Sequence, residues 1–302
     1  MNRKSLLPGL YRNYLALPGR VRRLAGQWLS KRHTRWVVHP QGVCRQALAL
    51  RAVLALLALV LAAPARADVA DMLINIKPGV VGVGTFRPAG SPRANLLGTG
   101  FAVLDGRYVV SCAHIFAGVL NSEKNETHAV FIGHDRQVAV RIAQLIATDR
   151  AHDLAVLKIA GSPLPALKLG DSTQAREGWQ LYFTGYPIGS ILGLNPSTHR
   201  AGLAAIIPIF TSLANAAQLT ARALKQAQQP YEVFELDAIA YPGNSGSPVW
   251  NPETGEVLGV VNSVFVKGAK EAALSAPSGI TYAIPVKYLQ PLLEQAQAKP
   301  IP

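Results

Sequence analysis

From Val80 to Val286 the chain is a succession of short runs rich in Val and Ile, each soon broken by Gly, Pro, Asn or Asp. This pattern constrains the fold more than any other feature, because it supplies strand after strand and little room for helices. The clearest unit is a hairpin over Gly98–Val110, in which Asp105-Gly106 separates Gly-Thr-Gly-Phe-Ala-Val-Leu from Arg-Tyr-Val-Val. Asp-Gly between apolar runs signals a tight turn, since both residues tolerate positive φ. Further strands are predicted at Val80–Phe86, Val138–Ile146, Leu154–Ile159, Leu181–Gly185, Gly202–Ile209, Val257–Val266 and Gly279–Val286. Many short strands with frequent turns predict an all-β barrel or sandwich. A break over Leu169–Gly178 divides the strands into two groups of similar size. Two segments depart from the pattern. Ser212–Gln229 lacks Gly and Pro, carries an approximate helical stripe and stops at Pro230, which predicts a helical insertion. Val286–Ala298 predicts a C-terminal helix, with Pro291 as a point of interruption.

The formal net charge of +13 would suggest nucleic acid or an anionic membrane as partner if it were spread over the chain. It is not. Residues 1–67 hold twelve Lys and Arg and no Asp or Glu; the remainder holds 18 basic and 17 acidic residues. A near-neutral body excludes the electrostatic footprint of a nucleic-acid binder. The basic leader ends in Ala52–Ala63, an apolar run of twelve residues. A bilayer core takes about 20 residues in a helix, so the run suits the hydrophobic region of a secretory signal. Ala65-Arg66-Ala67 supplies the small-x-small cleavage pattern, which would leave Asp68 as the new N-terminus. The alternative is an uncleaved anchor in the inner membrane. The basic region ahead of the run is about 50 residues, unusually long for a signal. Cys44 falls in the leader, which leaves Cys112 alone in the body, so no internal disulfide is expected. No spacing of Cys and His suggests a metal site.

Three local motifs carry chemistry: Ser111-Cys112-Ala113-His114 directly after a strand, His152-Asp153-Leu154-Ala155-Val156-Leu157 opening one, and Pro242-Gly243-Asn244-Ser245-Gly246-Ser247 in a glycine-rich turn. Each alone is ordinary, since a His at a strand end, an Asp cap and a Ser in a turn are commonly structural. Together they follow the chain order His, Asp, Ser of one of the convergent serine hydrolase designs. A serine hydroxyl needs a base to take its proton, and the base needs a carboxylate to fix its tautomer. The turn Gly243-Asn244-Ser245 could aim the N–H groups of Gly243 and Ser245 at an oxyanion. Position 247 is Ser, so the turn is not a Gly-x-Ser-x-Gly elbow. Asp149 and Asp135 are rival orienters, though neither opens a strand of the Asp-Leu-Ala-Val type. His152 should point away from Asp153 if both lie on one strand. His128 and His134 are expected in a solvated polar loop. Cys112 is expected as a small buried hydrophobe.

On these residues the chain resembles a trypsin-like serine protease, closest to the bacterial HtrA (Deg) protease domain. The shared segments are Gly98-Thr99-Gly100-Phe101, Ser111–His114, Asp153–Lys158, Gly185-Tyr186-Pro187-Ile188-Gly189, Gly243–Gly246 and Tyr282-Ala283-Ile284-Pro285. The resemblance runs from about Val80 to Leu289. It implies two packed six-stranded antiparallel β-barrels, about 72–172 and about 177–288, within a protease domain over 68–302. It implies His114 as base, Asp153 as orienter and Ser245 as nucleophile. It also implies that Ile239, six residues before Ser245, lies at the base of the primary substrate pocket, bordered by Val261, Asn262 and Ser263. An apolar residue there predicts cleavage after small or medium apolar residues. Ser247 stands where the family usually has glycine, and no PDZ domain is expected after the barrels. The insertion over 212–229 falls in a loop that in the family communicates with the active site.

The function expected is an exported, periplasmic or secreted serine endopeptidase with polypeptide substrates and no cofactor. A catalytically silent peptide-binding or chaperone-like module, or an esterase using the same triad, are the alternatives. Oligomerisation is compatible with the resemblance and not derivable from the residues.

Overall fold

The computed structural model describes residues 51, 68–134, 137–187, 194–209, 230–262 and 279–298. The chain divides into two compact units, Met1–Ala65 and Arg66–Pro302, and the fold described below is that of the second. It begins with helix α1 (Val69–Ile76), capped by Asp68, whose side chain accepts the Ala70 N–H at 3.0 Å.

Six strands follow: β1 (Val80–Phe86), β2 (Ala94–Val103), β3 (Tyr108–Cys112), β4 (Thr127–His134), β5 (Gln137–Asp149) and β6 (Leu154–Ile159). They close into a barrel in the order β1-β2-β3-β6-β5-β4. A second barrel takes β7 (Gln180–Gly185), β8 (Ser197–Ile209), β9 (Tyr231–Asp237), β10 (Pro248–Trp250), β11 (Val257–Asn262) and β12 (Ile280–Pro285), in the order β10-β11-β12-β9-β8-β7. Every strand pair is antiparallel. Closure removes the unpaired edges that short strands would otherwise expose. Val81, Val83, Ala102, Val109 and Leu157, on one face of the sheet, fill the first barrel at 0% exposure, and Leu181, Phe183, Leu236 and Val249 fill the second. Each such side chain contributes roughly 1.5–3 kcal/mol when fully buried. Trp250 is also buried, and its indole N–H donates to Thr184 Oγ1 at 3.0 Å.

The two closed six-stranded barrels are the architecture the resemblance implied, and several elements refine the sequence reading. Strands β4, β9 and β10 form where the sequence pattern shows no strand. His128 lies on β4, half-buried and edge-on to Phe116, rather than in a solvated loop. Its strand is flanked by polar residues, but Ala129, Val130 and Phe131 are buried against β1. His134 ends the same strand. The hairpin over Gly98–Val110 forms, with a four-residue connection between Val103 and Tyr108 instead of a two-residue one. Leu104 and Gly106 both take positive φ there, and Gly106 lies against the Leu164 backbone, where a Cβ would meet the carbonyl oxygen at 2.1 Å. The C-terminal helix α2 spans Gln290–Ala298 after a 3-10 turn over Val286–Tyr288, so Pro291 sits in its first turn rather than interrupting it. The insertion at 212–229 and residues 263–266 lie outside the described residues.

Candidate active site

The registers of the sheet bring the first two motifs together. Cys112 at the end of β3 pairs with Leu154 at the start of β6. Residues just past β3 and just before β6 are therefore neighbours, and these are His114 and Asp153. His114 Nδ1 lies 2.5 Å from Asp153 Oδ2, and the His114 backbone N–H donates to Asp153 Oδ1 at 2.7 Å. An ionised carboxylate only accepts, so this contact places the proton on Nδ1 and leaves Nε2 as the basic nitrogen. The Asp153 carbonyl accepts the Ala113 N–H at 3.0 Å. Asp153 itself has φ +55°, a left-handed conformation rare outside glycine, held here by its partners on both sides.

The third motif forms a turn ahead of β10. The Asn244 N–H donates to the Tyr241 carbonyl at 3.0 Å, closing a four-residue turn over Tyr241–Asn244. Proline at the second position fixes a negative φ there, and Gly243 at the third has φ +99°. That combination is a type II turn. Relative to type I it rotates the Pro242–Gly243 peptide by half a revolution, and this sets the direction of the Gly243 N–H. That N–H has no hydrogen-bond partner among the described residues. The Gly243 carbonyl is fixed instead, accepting Thr99 Oγ1–H at 2.7 Å. Ser245 follows at 4% exposure. Gly246 takes φ +88°, and a Cβ on it would lie 2.0 Å from the Thr99 carbonyl oxygen.

Two residues that the motif reading gave no such part stitch these pieces together. Thr99 on β2 is fully buried; its N–H donates to the Ser245 carbonyl at 2.9 Å, and its hydroxyl also accepts the Tyr186 N–H at 2.9 Å. Ser111 donates to the Thr99 carbonyl at 2.6 Å. The first barrel thus grips the serine turn of the second. On the other side, the Val261 carbonyl accepts both the Gly246 N–H at 2.8 Å and the Cys112 thiol at 3.3 Å. Asn262, next along, donates its side-chain N–H to Asp153 Oδ2 at 2.8 Å. The segments carrying His114, Asp153 and Ser245 therefore converge on the end of β11.

The predicted pocket residues divide. Ile239 stands after β9 at 37% exposure. Val261 is fully buried with both backbone groups engaged, and Asn262 is 1% exposed with its carboxamide spent on Asp153. Val261 acts through its backbone and Asn262 through its side chain, as expected for neighbours whose side chains point to opposite faces of β11, and both brace the site. Ser263 and Asp135 lie outside the described residues. Asp149 does not approach His114; it binds His152 Nδ1 at 2.6 Å.

Cys112, His114 and Asp153 offer ligand atoms within 4.8 Å of one another, donor types that zinc accepts. The site does not fit a metal. Burial pushes the Cys112 thiol well up, and the Asp153 carboxylate adds to the rise, against the thiolate a metal requires. Asp153 already accepts from the His114 ring and backbone and from Asn262.

Comparison with known proteins places the fold in a family. Residues 98–260, more than half of the chain, match the family model "Trypsin-like peptidase domain". A protein of Marinomonas sp. (strain MWYL1) named "Probable periplasmic serine endoprotease DegP-like" is 27% identical over 205 residues, covering 67% of this chain and 36% of the relative. A protein of the same name from Hahella chejuensis (strain KCTC 2396) is 27% identical over 212 residues, covering 70% and 37%. The chain thus spans little more than a third of the length of these curated relatives. Among solved structures, the HtrA-type protease AlgW with decapeptide superposes with a TM-score of 0.55 at 22% identity, over 76% of this chain and 68% of that one. By family match, barrel topology and site geometry, the chain belongs to the trypsin-like peptidase domain family.

Proposed function

We propose that the protein is a serine endopeptidase that cleaves polypeptides through His114, Asp153 and Ser245. The observation that carries this reading is the His114–Asp153 contact at 2.5 Å, tied through Asn262 and Val261 to the serine turn. With Nδ1 protonated against Asp153, His114 Nε2 takes the Ser245 hydroxyl proton as Oγ attacks the peptide carbonyl. The tetrahedral oxyanion is met by the Gly243 and Ser245 N–H groups. Collapse breaks the C–N bond, and His114 returns the proton to the leaving amine. Water, deprotonated by the same imidazole, then hydrolyses the acyl-enzyme. No cofactor enters these steps.

Ile239 supports a preference for small or medium apolar residues, such as Val, Ala or Leu, on the acyl side of the cut bond. An acid there would attract Lys or Arg, and an aliphatic side chain offers them no counter-charge. A peptide library should show cleavage after Val but not after Arg, and Ile239→Asp should move the preference toward Arg and Lys. Efficient cleavage after Arg by the unaltered protein contradicts the assignment.

The basic leader and the periplasmic names of the relatives support export. Among the described residues no helix is long and apolar enough to cross a membrane. N-terminal sequencing of the protein recovered from cells distinguishes a processed chain starting at Asp68 from one that keeps its leader.

A further inference from the structure

A second His–Asp pair stands directly beside the first. Asp149 accepts three hydrogen bonds: from the Ala151 N–H at 2.9 Å, the His152 N–H at 3.2 Å and the His152 ring at 2.6 Å. Burial works against its charge, but the bonds from His152 and Ala151 outweigh it and hold the carboxyl below its usual range. An ionised Asp149 is acceptor-only, so the His152 ring donates through Nδ1. The opposite side of this ring is packed by the second barrel. Tyr288 stacks on it at 4.3 Å between centroids and 15° between planes. Tyr231 meets it edge-on at 4.7 Å and 72°, and the two tyrosines meet each other at 5.6 Å. Tyr288 is in turn fixed by its hydroxyl, which accepts the Glu232 N–H at 3.1 Å, and by Lys287, whose ammonium lies 5.2 Å above its ring and 2.5 Å from Glu232. The charged and titratable groups around His152 are thus Asp149, Asp153, Tyr231 and Tyr288, with Glu232 and Lys287 behind the tyrosines.

The peptide after His152 is the one that enters the left-handed Asp153. That conformation persists only where its flanks are held. Downstream, β6 holds it by pairing with β3. Upstream, the only side chain between Asp149 and Asp153 that grips the second barrel through ring contacts, among the described residues, is His152. Burial, reinforced by the carboxylates of Asp153 and Asp149, pushes the Tyr231 phenol up, which places that hydroxyl in the field of both acids.

We propose that His152 is a positioning residue for Asp153: bonded to Asp149 and clasped by Tyr231 and Tyr288, it fixes the loop of the first barrel on the second and so sets where the Asp153 carboxylate stands. This rests on the catalytic reading of His114, Asp153 and Ser245. Displacing a reacting group by a fraction of an ångström affects turnover and not substrate affinity.

The test compares the full chain with His152→Ala, which loses ring and bond, and His152→Phe, which keeps the ring and loses the Asp149 bond. Peptide hydrolysis is measured as kcat and KM, and the far-downfield proton resonance of His114 Nδ1–H is recorded by NMR. In His152→Ala, kcat should fall about 10- to 100-fold with KM nearly unchanged. The resonance should shift or broaden. His152→Phe should lie between that variant and the wild type. If the alanine variant does not fold, the phenylalanine variant and Asp149→Asn carry the comparison. Folded variants with the wild-type kcat and resonance overturn the proposal, as does a rise in KM alone. The resonance reports on the His114–Asp153 contact without any turnover. A chain whose hydrolysis is independent of Ser245 therefore refutes the catalytic reading, while an unmoved resonance refutes the positioning role.

Discussion

At the residue scale the chemistry depends on which atoms are left free to react. His114 has Nδ1 committed to Asp153, and Asp153 has both oxygens committed to His114 and Asn262. The imidazole therefore presents Nε2. Gly243 matters for a different reason. Its φ of +99° lies where a side chain is strained, and it is this conformation that makes the turn type II. Gly243→Ala should favour the type I form and rotate the N–H away from the oxyanion. We expect kcat to fall about 10²–10³-fold with KM little changed, the cost of one oxyanion donor. Burst kinetics with an activated ester measures this, and an unaltered acylation rate contradicts it. The proposed triad of His114, Asp153 and Ser245 is legible in the sequence because each sits in a local motif whose chemistry suits that role. The brace from Asn262 was not, because it joins positions 109 residues apart and depends on the register of β11.

At the element scale, β2 is one link between the barrels. Thr99 bonds to the Gly243 carbonyl, the Ser245 carbonyl and the Tyr186 N–H, all on the second barrel. Thr99→Val keeps the shape and removes the hydroxyl, leaving two buried backbone groups unpaired. Each such loss costs about 1–3 kcal/mol. The variant should melt at a lower temperature and hydrolyse peptide more slowly, with Thr99→Ser restoring both; a valine variant as stable and active as wild type would remove the clamp from the account. Strand patterns explain what the sequence reading captured and what it lost. The apolar runs of β1, β6 and the β2–β3 hairpin are plain. In β4 the histidines at 128 and 134 mask three buried residues, and in β9 the acids Glu232, Glu235 and Asp237 mask Val233, Phe234 and Leu236. Strand β10 has only three residues and starts at Pro248, so no periodicity can show. Closure of the barrels selects these segments, not their own composition.

At the scale of the whole molecule, two half-buried histidines tie stability to pH. Burial lowers both His128 and His199 below the ordinary value of 6.5, only partly offset at His128 by Glu126. Their folded forms release protons that the unfolded chain retains near pH 6. Their contribution is therefore complete above pH 6.5 and is lost as pH falls below it. The melting temperature should drop between pH 7 and pH 5, and the double variant His128→Phe/His199→Phe should narrow that drop; a gap of the same size in the double variant contradicts the assignment. The net charge of the whole chain has no bearing on this, since its excess belongs to residues 1–67 and the barrels are almost neutral. Both barrels contribute to the proposed site: His114 and Asp153 come from one, Ser245 and Asn262 from the other, and the seam between them holds the serine turn and the Asp153 carboxylate. The most direct test of that claim is hydrolysis of casein and of an apolar peptide by the protein and by Ser245→Ala, alongside labelling with a fluorophosphonate. The protein should be labelled and cleave both substrates, and Ser245→Ala should be unlabelled and cleave neither. Cleavage that persists in Ser245→Ala, or a labelled protein that cleaves only simple esters, would contradict it.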